Sequence, residues 1–594
     1  MRGHFIKPNH RTESLQHAIF FDTETDPEVI DPQTTGHVLR QGWAAYTRLR
    51  RNGTWSDPEW FRFETVDQFW RWVTLKARRK TRLYLFCHNS SFDYPVVDAF
   101  RWLPAHGWLP DRLVIEAPPT IIRVRNHDKT LVLLDTLNWW RMPLSALGAS
   151  IGLPKLEFPS AAATRDEWDT YNRRDVEIIL RAVQLWCNLV RDRDLGGFQP
   201  TLAGQAFAAW RHRFMPAPVL IDANADALAV SRAAYHGGRV EAFHIGHLTQ
   251  RLHLLDINSM YPHVMREHAY PTVLRYHSRH MTPDKLWALM RRRLVCAHVR
   301  VRVDQPAIGV MHNDRYIFPT GEFDAYLSTP ELQWIRRHGE LLHCYEVAAY
   351  AHAHLFRDWV DTLYQWRQDA IAAGDTVLAG QIKILMNSLY GKFGQRGIRY
   401  ELIGDTPDLS IDSWREVHID TKEVHQYRQL MGKIQELQRD SESASSHPAI
   451  AAHVTAHARM LLFSLIEEAG REHVYYGDTD SLLVDDEGLM RLSHRMDATR
   501  LGALKLEGSF DRCEIHGCKD YVFGSKVRTK GVRASALWLD PNTVEQEKWS
   551  GLKGLLRSGK LDRPTTALVT KHLARTYDKG TVGTDGSVSP IVLG

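Results

Sequence analysis

Two carboxylates stand two residues apart in the segment Tyr476-Gly477-Asp478-Thr479-Asp480-Ser481. Apolar residues precede and follow this segment, a pattern that predicts two short strands joined by a tight turn, with Gly477 easing the bend. Two acids held this close repel each other unless a cation lies between them. Hard divalent ions such as Mg²⁺ prefer such oxygen ligands, so the segment is a candidate metal site. A solvated acidic turn is the alternative interpretation for an isolated pair.

Two further segments carry complementary chemistry. Leu254–Pro262 is a strand-like apolar run that bears Asp256. In the segment KILMNSLYG, the spacing of Lys383, Asn387 and Tyr390 predicts that all three line one face of a helix. A cation, an amide and an aromatic ring on one face suit the phosphate, sugar and base of a nucleoside triphosphate. An ordinary amphipathic face is the alternative for this helix alone.

The N-terminal third carries a separate set of acids. Asp22 and Glu24 end an apolar strand, and the period of two points both to the same side. Asp93 follows another apolar run, and Tyr171 lies four residues before Asp175 on a predicted helix. Four acids from three segments can hold two metal ions, as phosphodiester hydrolysis by a metal-activated water requires.

These motifs together resemble a known family. The order DxxSxYP, KxxxNSxYG and YxDTDS resembles motifs A, B and C of family B DNA polymerases, and the N-terminal acids resemble the Exo I, Exo II and Exo III motifs of proofreading 3′–5′ exonucleases. Shorter matches are collinear with them and resemble the Kx2h, YxGG, TxxAR and KxY motifs: Lys155, Tyr235, Gly237, Gly238, Thr455, Arg459, Lys519 and Tyr521. The resemblance is closest to the protein-primed polymerases of small tailed phages, adenoviruses and linear plasmids.

The resemblance implies a metal-dependent mechanism with Mg²⁺ or Mn²⁺, two ions in each active site. In the polymerase site, Asp256 and Asp480 are expected to bridge the ions, with Asp478 as an auxiliary acid. The exonuclease ligands are expected to be Asp22, Glu24, Asp93 and Asp175. Tyr171 and Lys155 are expected to assist the exonuclease reaction.

The resemblance also implies substrate contacts. Lys383 and Arg367 are expected to grip the triphosphate, with Asn387 beside them and Tyr390 packed on the nascent base pair. Tyr261 is expected to lie under the deoxyribose and exclude a 2′-hydroxyl. DNA contacts are expected of His88, Asn89, Phe92, Tyr235, Gly237, Gly238, Thr455, Arg459, Lys519 and Tyr521.

Length and composition limit the number of domains and the class of protein. A chain of 594 residues exceeds the size of a single core, so several domains are expected. With 44% hydrophobic and 24% charged residues the chain is globular, and a net charge of +5 is compatible with a nucleic-acid partner without identifying one. The segment around Cys513, His516 and Cys518 offers only a weak zinc pattern, so reduced thiols are expected. No apolar run approaches ~20 residues, and the N-terminus lacks a signal-peptide pattern, so we expect no membrane span and a cytoplasmic monomer.

The expected fold class is a ribonuclease-H-like α/β exonuclease domain followed by a right-hand α+β polymerase domain. The motifs divide the chain into an exonuclease domain (1–196), a palm (197–280 and 448–535), a first insertion (281–356), fingers (357–393), a second insertion (394–447) and a thumb (536–594). The fingers are predicted as two antiparallel helices that turn at 373–375.

The two insertions stand where protein-primed polymerases contact the priming protein and encircle DNA. For the second insertion we predict a surface protrusion with a helical middle at Val424–Leu437 and a flexible Ser-rich exit at 443–448. The tail Gly580–Gly594 has the composition of a terminal hairpin.

Three functional hypotheses follow. The first is a protein-primed replicative DNA polymerase that binds template DNA, a primer 3′ end, dNTPs and a terminal priming protein. The second is a conventional family B polymerase that extends nucleic-acid primers or starts without one. The third is a nucleic-acid-binding scaffold with a dead active site, which would have lost some of the catalytic acids. None of these acids is lost.

Overall fold

The computed structural model describes residues 3–116, 118–160, 162–397, 399–438, 442–558 and 563–594. Its N-terminal domain is built on a mixed sheet whose centre is parallel: His17–Asp31, Arg82–Cys87 and Lys129–Asp135 lie side by side. The central strands are apolar on both faces, as a sheet covered on both sides requires. Phe20 packs into the core beneath the long helix Arg165–Asp192, whereas its neighbour Phe21 packs into the core on the opposite face.

The other elements of this domain complete the sheet and its covering layers. They are the strands Thr34–Arg48, Glu59–Phe63, Leu109–Ile115 and Thr120–Asn126, the helices Val66–Lys76, Ser90–Val96, Ala99–Ala105 and Leu144–Ser150, and the 3-10 turn Thr136–Asn138. The N-terminal strand His4–Phe5 pairs instead with Leu220–Ile221, beyond the domain.

An antiparallel five-stranded sheet forms the palm. Its strand order is Val240–Ala242, Val474–Asp478, Ser481–Val484, Leu252–Ile257 and Leu504–Phe510. A second small sheet contains Gly246–Leu248, Cys513–Gly517, Asp520–Phe523 and Lys526–Arg528. The surrounding helices are Leu202–Ala209, Trp210–Phe214, Ala225–Ala233, Met260–Glu267, Pro448–Ala469, Arg471–His473, Asp486–Leu492 and Ser493–Arg495.

The helix Pro448–Ala469 modifies one expectation. At 22 residues it is long and apolar enough to cross a membrane, although we expected no such run. Within the protein it is a core helix, because 78% of its most apolar window is buried. All six cysteines are free and five of them are buried, as expected for reduced structural thiols.

Two antiparallel helices form the predicted fingers. Arg357–Ala372 and Thr376–Asn387 are joined at the predicted turn, where Asp375 caps the second helix by accepting a hydrogen bond from Leu378 N at 2.9 Å. A separate short helix, Tyr390–Phe393, follows after a break. The expectation of one continuous helix carrying Lys383, Asn387 and Tyr390 is therefore wrong at its last position.

The first insertion contains three strands of one sheet, a separate two-stranded hairpin and two helices. The sheet strands are Leu294–Val303, Thr320–Ser328 and Gly339–Ala353, the hairpin strands are Val310–His312 and Arg315–Ile317, and the helices are Pro283–Met290 and Thr329–His338. Tyr270–Ser278, which the sequence assigned to the palm, also belongs to this sheet and pairs with Gly339–Ala353.

The second insertion is a four-stranded antiparallel sheet. It consists of Arg399–Asp405, Asp412–Val417, Val424–Leu430 and Lys433–Gln438. The predicted helical middle is therefore wrong, because Met431 and Gly432 both have positive φ and form a tight turn between two strands. The predicted flexible exit is also wrong, because Ser446 and His447 are buried. Arg232 holds this exit through Glu442 and a 2.9 Å hydrogen bond to Ser446 Oγ.

The C-terminal region joins distant parts of the molecule. Its elements are Leu537–Asp540, Thr543–Trp549, Leu552–Ser558, Thr565–His572, Thr581–Val582, Val588–Ser589 and Val592–Leu593. Thr565–Ala567 pairs with Thr34–Gly36 and so extends the N-terminal sheet. The predicted hairpin in the tail forms at 581–589, and Val592–Leu593 then pairs in parallel with Thr320–Gly321.

One buried hydrophobic cluster joins the N-terminal domain, the second insertion and the C-terminal region. Leu430 and Met431 of the second insertion and Leu552 and Leu555 of the C-terminal region belong to the same buried cluster as Leu113 of the N-terminal domain. Three regions that are far apart in sequence are thus packed together. The second insertion is therefore packed against the rest of the protein and is not a fully exposed loop.

Candidate active sites

The N-terminal acids converge as the sequence predicts. Alternation along His17–Asp31 puts Asp22 and Glu24 on one side, and the helix Arg165–Asp192 brings Asp175 to them. Oxygen atoms of these three carboxylates all lie within 4.8 Å of one another. The three acids line a cavity of about 670 Å³ together with Asp93, Lys155, Tyr171, His88, Asn89 and Phe92.

Crowding and burial disfavour the charged form of these acids. Burial, reinforced by Asp93 and then Asp175, raises the pKa of Asp22 well above its ordinary value. Burial and the neighbouring Asp175 raise the pKa of Glu24 to about 7. Oδ1 of Asp175 is buried and lacks a hydrogen-bond donor within the described parts of the chain. Clustered carboxylates with a free buried oxygen fit divalent cations, which would stabilise the ionised forms.

Lys155 is the counter-ion of this cluster. Its ammonium forms an ion pair with Asp175, and it lies 4.4 Å from the centre of the Tyr171 ring. Although burial opposes protonation, Asp175 raises the pKa of Lys155 above its ordinary value, so the lysine stays charged. The structure thus places Lys155 and Tyr171 where the motif resemblance predicted.

Asp93 lies beside the other acids but outside the trio. Its Oδ1 accepts hydrogen bonds from Thr23 N at 3.2 Å and Thr23 Oγ1 at 2.7 Å. Asn172, which sequence reasoning missed, donates from Nδ2 to Asp22 Oδ2 at 2.6 Å. Its position directly after Tyr171 was the available signal, but nothing in the spacing distinguishes it from other polar helix residues.

The residues of the N-terminal domain that were predicted to bind DNA differ in their placement. Both ring nitrogens of His88 are within hydrogen-bonding distance of protein atoms, Thr136 Oγ1 at 2.8 Å and Met142 O at 2.9 Å, so this side chain shapes the cavity wall. Asn89 lines the same cavity. Phe92 also lines it and contacts Trp549 of the C-terminal region edge to face, with ring centres 5.5 Å apart.

The palm brings its three acids to one edge. Asp256 is the next-to-last residue of Leu252–Ile257 and lies opposite Ser481, directly after Asp480. Asp478 ends Val474–Asp478, which pairs with Ser481–Val484, and the turn between these two strands contains Thr479, whose φ of 63° is left-handed. Gly477 was expected to ease this bend, but the strained residue is Thr479, held by a 2.7 Å hydrogen bond from its N–H to the carbonyl oxygen of Arg239.

The carboxylates of the palm are less closely grouped than those of the N-terminal cavity. Burial, then Asp480, raises the pKa of Asp256 to about 6, whereas Lys383 lowers it. Burial and Asp478 also raise the pKa of Asp480. Lys519 Nζ lies 3.5 Å from Asp478 Oδ1. In the part of the chain that the structure describes, these acids form no group of three within 4.8 Å, yet the mutual repulsion of Asp256 and Asp480 suits a bridging cation.

Aromatic rings form one wall beside these acids. Tyr261 and Tyr390 are stacked with ring centres 4.7 Å apart and an interplanar angle of 17°. A Cβ atom at Gly238 would lie 2.8 Å from Thr479 Cγ2 and 3.1 Å from the Tyr261 hydroxyl oxygen, so only glycine fits there. Gly238 thus lets its loop approach both the acidic turn and the ring of Tyr261.

The fingers helices present the predicted cations. Lys383 is exposed, and Asn387 donates from its side chain back to the carbonyl oxygen of Lys383 at 2.9 Å. Arg367 lies on the opposite helix with its guanidinium 6.0 Å from the Tyr364 ring centre. Lys383 is close enough to lower the pKa of both Asp256 and Asp480. The fingers helix therefore interacts electrostatically with the palm acids.

Comparison with known proteins agrees with this geometry. The profile of the family "DNA polymerase type B, organellar and viral" matches residues 157–438. The DNA-directed DNA polymerase of Enterobacteria phage PRD1 is 27% identical over 309 residues, which are 50% of this chain and 52% of that protein. The DNA polymerase of Streptococcus phage Cp-1 is 25% identical over 292 residues, or 46% of each. The chain thus spans about half the length of these relatives.

The fold comparison extends over more of the chain. Phi29 DNA polymerase in complex with primer-template DNA superposes with a TM-score of 0.64 at 18% identity, covering 86% of this chain and 87% of that one. Its complex with primer-template DNA and incoming nucleotides gives a TM-score of 0.65 at 16% identity, covering 94% and 100%. Residues 157–438 are thus similar to the type B DNA polymerases of organelles and viruses, and the fold of the chain is similar to that of Phi29 DNA polymerase.

Two predicted DNA contacts are buried. Thr455 donates its hydroxyl to backbone oxygens of its own helix. Arg459 donates to the carbonyl oxygens of His236 at 3.1 Å and Gly237 at 2.8 Å, and it pairs with Glu331 at 2.6 Å. As direct primer contacts both predictions are wrong, because these side chains are inside the protein. Arg459 instead fixes the Tyr235–Gly238 loop.

The remaining predicted contacts lie in that loop and in the small palm sheet. Tyr235 is half-buried and lies against Gly394, after the last fingers helix. Lys519 is 41% exposed beside Asp478 and available to a strand. Tyr521 is buried and stacks on Phe523 with ring centres 4.0 Å apart, so it supports the sheet rather than meeting DNA.

Proposed function

We propose that the chain is a DNA-directed DNA polymerase with 3′–5′ exonuclease activity and that it acts as a protein-primed replicase. The observation that carries the proposal is the presence of two separate carboxylate sites, one under the fingers helices and one in the N-terminal cavity. A catalytically dead scaffold would not retain both. Two separate carboxylate sites fit an enzyme that extends a strand in one site and removes mispaired ends in the other.

The acids would hold Mg²⁺ or Mn²⁺, two ions in each site, through Asp256, Asp478 and Asp480 in the palm and Asp22, Glu24, Asp93 and Asp175 in the cavity. When bound, such ions lower the pKa of the attacking hydroxyl or water and neutralise phosphate charge. Lys383 and Arg367 would hold the triphosphate, with Asn387 beside it, and Tyr390 would pack on the base pair. The stacked ring of Tyr261 would leave no room for a 2′-hydroxyl.

Paired variants test this proposal. Asp480→Asn should lower primer extension by about three orders of magnitude, because an amide is a poor ligand for a hard cation, while excision stays near wild type. Asp22→Ala with Glu24→Ala should do the reverse. Both variants are assayed on one labelled primer-template, with and without dNTPs. Equal loss of both activities in either variant would contradict the assignment of two independent sites.

Encirclement of DNA is the second part of the proposal. The shared core that joins the second insertion, the N-terminal domain and the C-terminal region supports a closed channel around the duplex and processive, strand-displacing synthesis. Leu430→Ala in this core should shorten products several-fold under a DNA trap without changing single-nucleotide insertion. Ile419→Ala, at a side chain that is 89% exposed, is the matched control. Unchanged product length in Leu430→Ala would contradict encirclement.

Protein priming distinguishes the first hypothesis from the second. The same acids serve a serine, threonine or tyrosine hydroxyl of another chain as well as a sugar hydroxyl. Extracts of producing cells are incubated with the polymerase, linear DNA and a radiolabelled dNTP, without an added primer. A labelled product that proteinase, but not nuclease, converts to small fragments supports protein priming. Incorporation that requires an added nucleic-acid primer supports the alternative of a conventional family B polymerase.

A further inference from the structure

A third group of metal-ligating side chains lies outside both carboxylate sites. Asp226, His277 and Glu346 each place a ligand atom within 4.8 Å of the other two. Among the described residues, the exonuclease trio is the only other group that meets this spacing. This group differs in chemistry, because it combines an imidazole with two carboxylates.

The fold explains why these residues meet. His277 pairs with Ala348 across neighbouring strands, so Glu346, two residues before Ala348, projects from the same face as His277. Asp226 lies in the first turn of the helix Ala225–Ala233, which packs against that strand. His298 lies directly opposite Glu346 on the next strand, which brings a second imidazole to this face.

We propose that Asp226, His277 and Glu346 form a structural site for a divalent transition metal, with Zn²⁺ as the best-suited ion. Imidazole nitrogen with carboxylate oxygen is a common zinc ligand set, whereas Mg²⁺ prefers oxygen ligands alone. His277 Nε2 and Glu346 Oε1 are 2.7 Å apart. Two ligands at about 2.0 Å from a tetrahedral zinc ion stand roughly 3.3 Å apart, so a small rotation of either side chain opens the site.

A competing cation is already close. Arg279 Nη2 lies 2.9 Å from Asp226 Oδ2, in a pair whose side chains are 67% and 49% exposed. A pair this exposed contributes little free energy, so a metal ion can displace the guanidinium. The site therefore has a defined alternative state in which Arg279 neutralises Asp226 and Glu346 accepts from His277.

The location gives the site a structural consequence. The helix Ala225–Ala233 leads directly into the Tyr235–Gly238 loop, which contacts the acidic turn of the palm. Ser231 and Tyr350, 2.7 Å apart at their hydroxyl oxygens, already join the end of this helix to the first insertion. A metal ion at Asp226 would fix the beginning of the helix to the same sheet.

Metal titration of the full chain tests the site. Zn²⁺ is titrated by calorimetry in excess Mg²⁺, which occupies the oxygen-only sites, and thermal unfolding is followed in parallel. Wild type should bind one more equivalent of Zn²⁺ than His277→Ala, Glu346→Gln or Asp226→Asn, and its melting temperature should rise more. His280→Ala, a nearby exposed histidine, is the control and should match wild type.

Cobalt provides a direct readout of coordination by these side chains. Co²⁺ bound in this site should give visible absorption bands that Glu346→Gln weakens and His277→Ala abolishes. If His277→Ala does not fold, the two carboxylate variants decide the question. Equal Zn²⁺ stoichiometry and equal thermal shifts in wild type, Glu346→Gln and Asp226→Asn would overturn the proposal.

Discussion

The two carboxylate sites differ in how closely their acids are grouped and in how lysine side chains offset the negative charge. In the N-terminal cavity, Asp22, Glu24 and Asp175 are gathered within 4.8 Å, and one partly buried lysine offsets them. In the palm, Asp478 pairs loosely with Lys519, and the exposed Lys383 faces Asp256 and Asp480 from the fingers. The first arrangement concentrates charge in a fixed cluster. The second spreads the charge over the palm strands, a fingers helix and the small second sheet.

The largest expected difference concerns the two lysines. Lys155→Ala should lower excision by roughly 10²-fold, because removing one partner of a buried ion pair costs about 3 kcal/mol. Lys519→Ala should lower extension only a few-fold, because its pair with Asp478 is longer and half-exposed. Single-turnover rates of excision and extension measure both. Effects of similar size would show that the two sites do not differ as described.

The pH dependence of the two activities should differ as well. With a pKa of about 7 for Glu24 and about 6 for Asp256, protonation removes exonuclease ligands at a higher pH than polymerase ligands. At limiting Mg²⁺, excision should therefore fall on acidification from about pH 7 and extension from about pH 6, each by up to tenfold per pH unit. Saturating Mg²⁺ should move both midpoints to lower pH. Coincident profiles at limiting Mg²⁺ would argue against this order.

The sequence predicted the features that depend on local periodicity. Alternation along one strand placed Asp22 and Glu24 together, and the four-residue helix spacing placed Tyr171 and Asp175 on one face. Features that depend on distant partners were missed. Arg459 is buried because Glu331 and the Tyr235–Gly238 loop enclose it, and no local pattern shows that. The middle of the second insertion, Val424–Leu437, was predicted to be helical because its polar residues show little apolar alternation. Nothing in that local pattern shows that Leu430 and Met431 pack against the N-terminal core.

A further expected effect concerns the aromatic wall of the palm. Tyr261→Val should raise the ratio of ribonucleotide to deoxyribonucleotide insertion by about 10- to 100-fold, because it removes the ring that would collide with a 2′-oxygen. Excision should be unchanged, since Tyr261 stacks on Tyr390 beside the palm acids and does not line the N-terminal cavity. Insertion efficiencies for matched dNTP and rNTP pairs measure the ratio. A constant ratio would assign sugar selection to another residue.

The pairing of Thr34–Gly36 with Thr565–Ala567 has a consequence for biosynthesis. These strands are separated by more than five hundred residues, which a ribosome adding about 5–20 residues per second needs on the order of a minute to translate. During that interval Thr34–Gly36, at the tip of the hairpin His17–Arg48, is a sheet edge without its final partner, and Val29 and Val38 of the same hairpin are exposed even in the finished fold. An unpaired edge near exposed apolar side chains invites pairing with other chains. The yield of native protein should therefore depend on how quickly the C-terminal strands arrive.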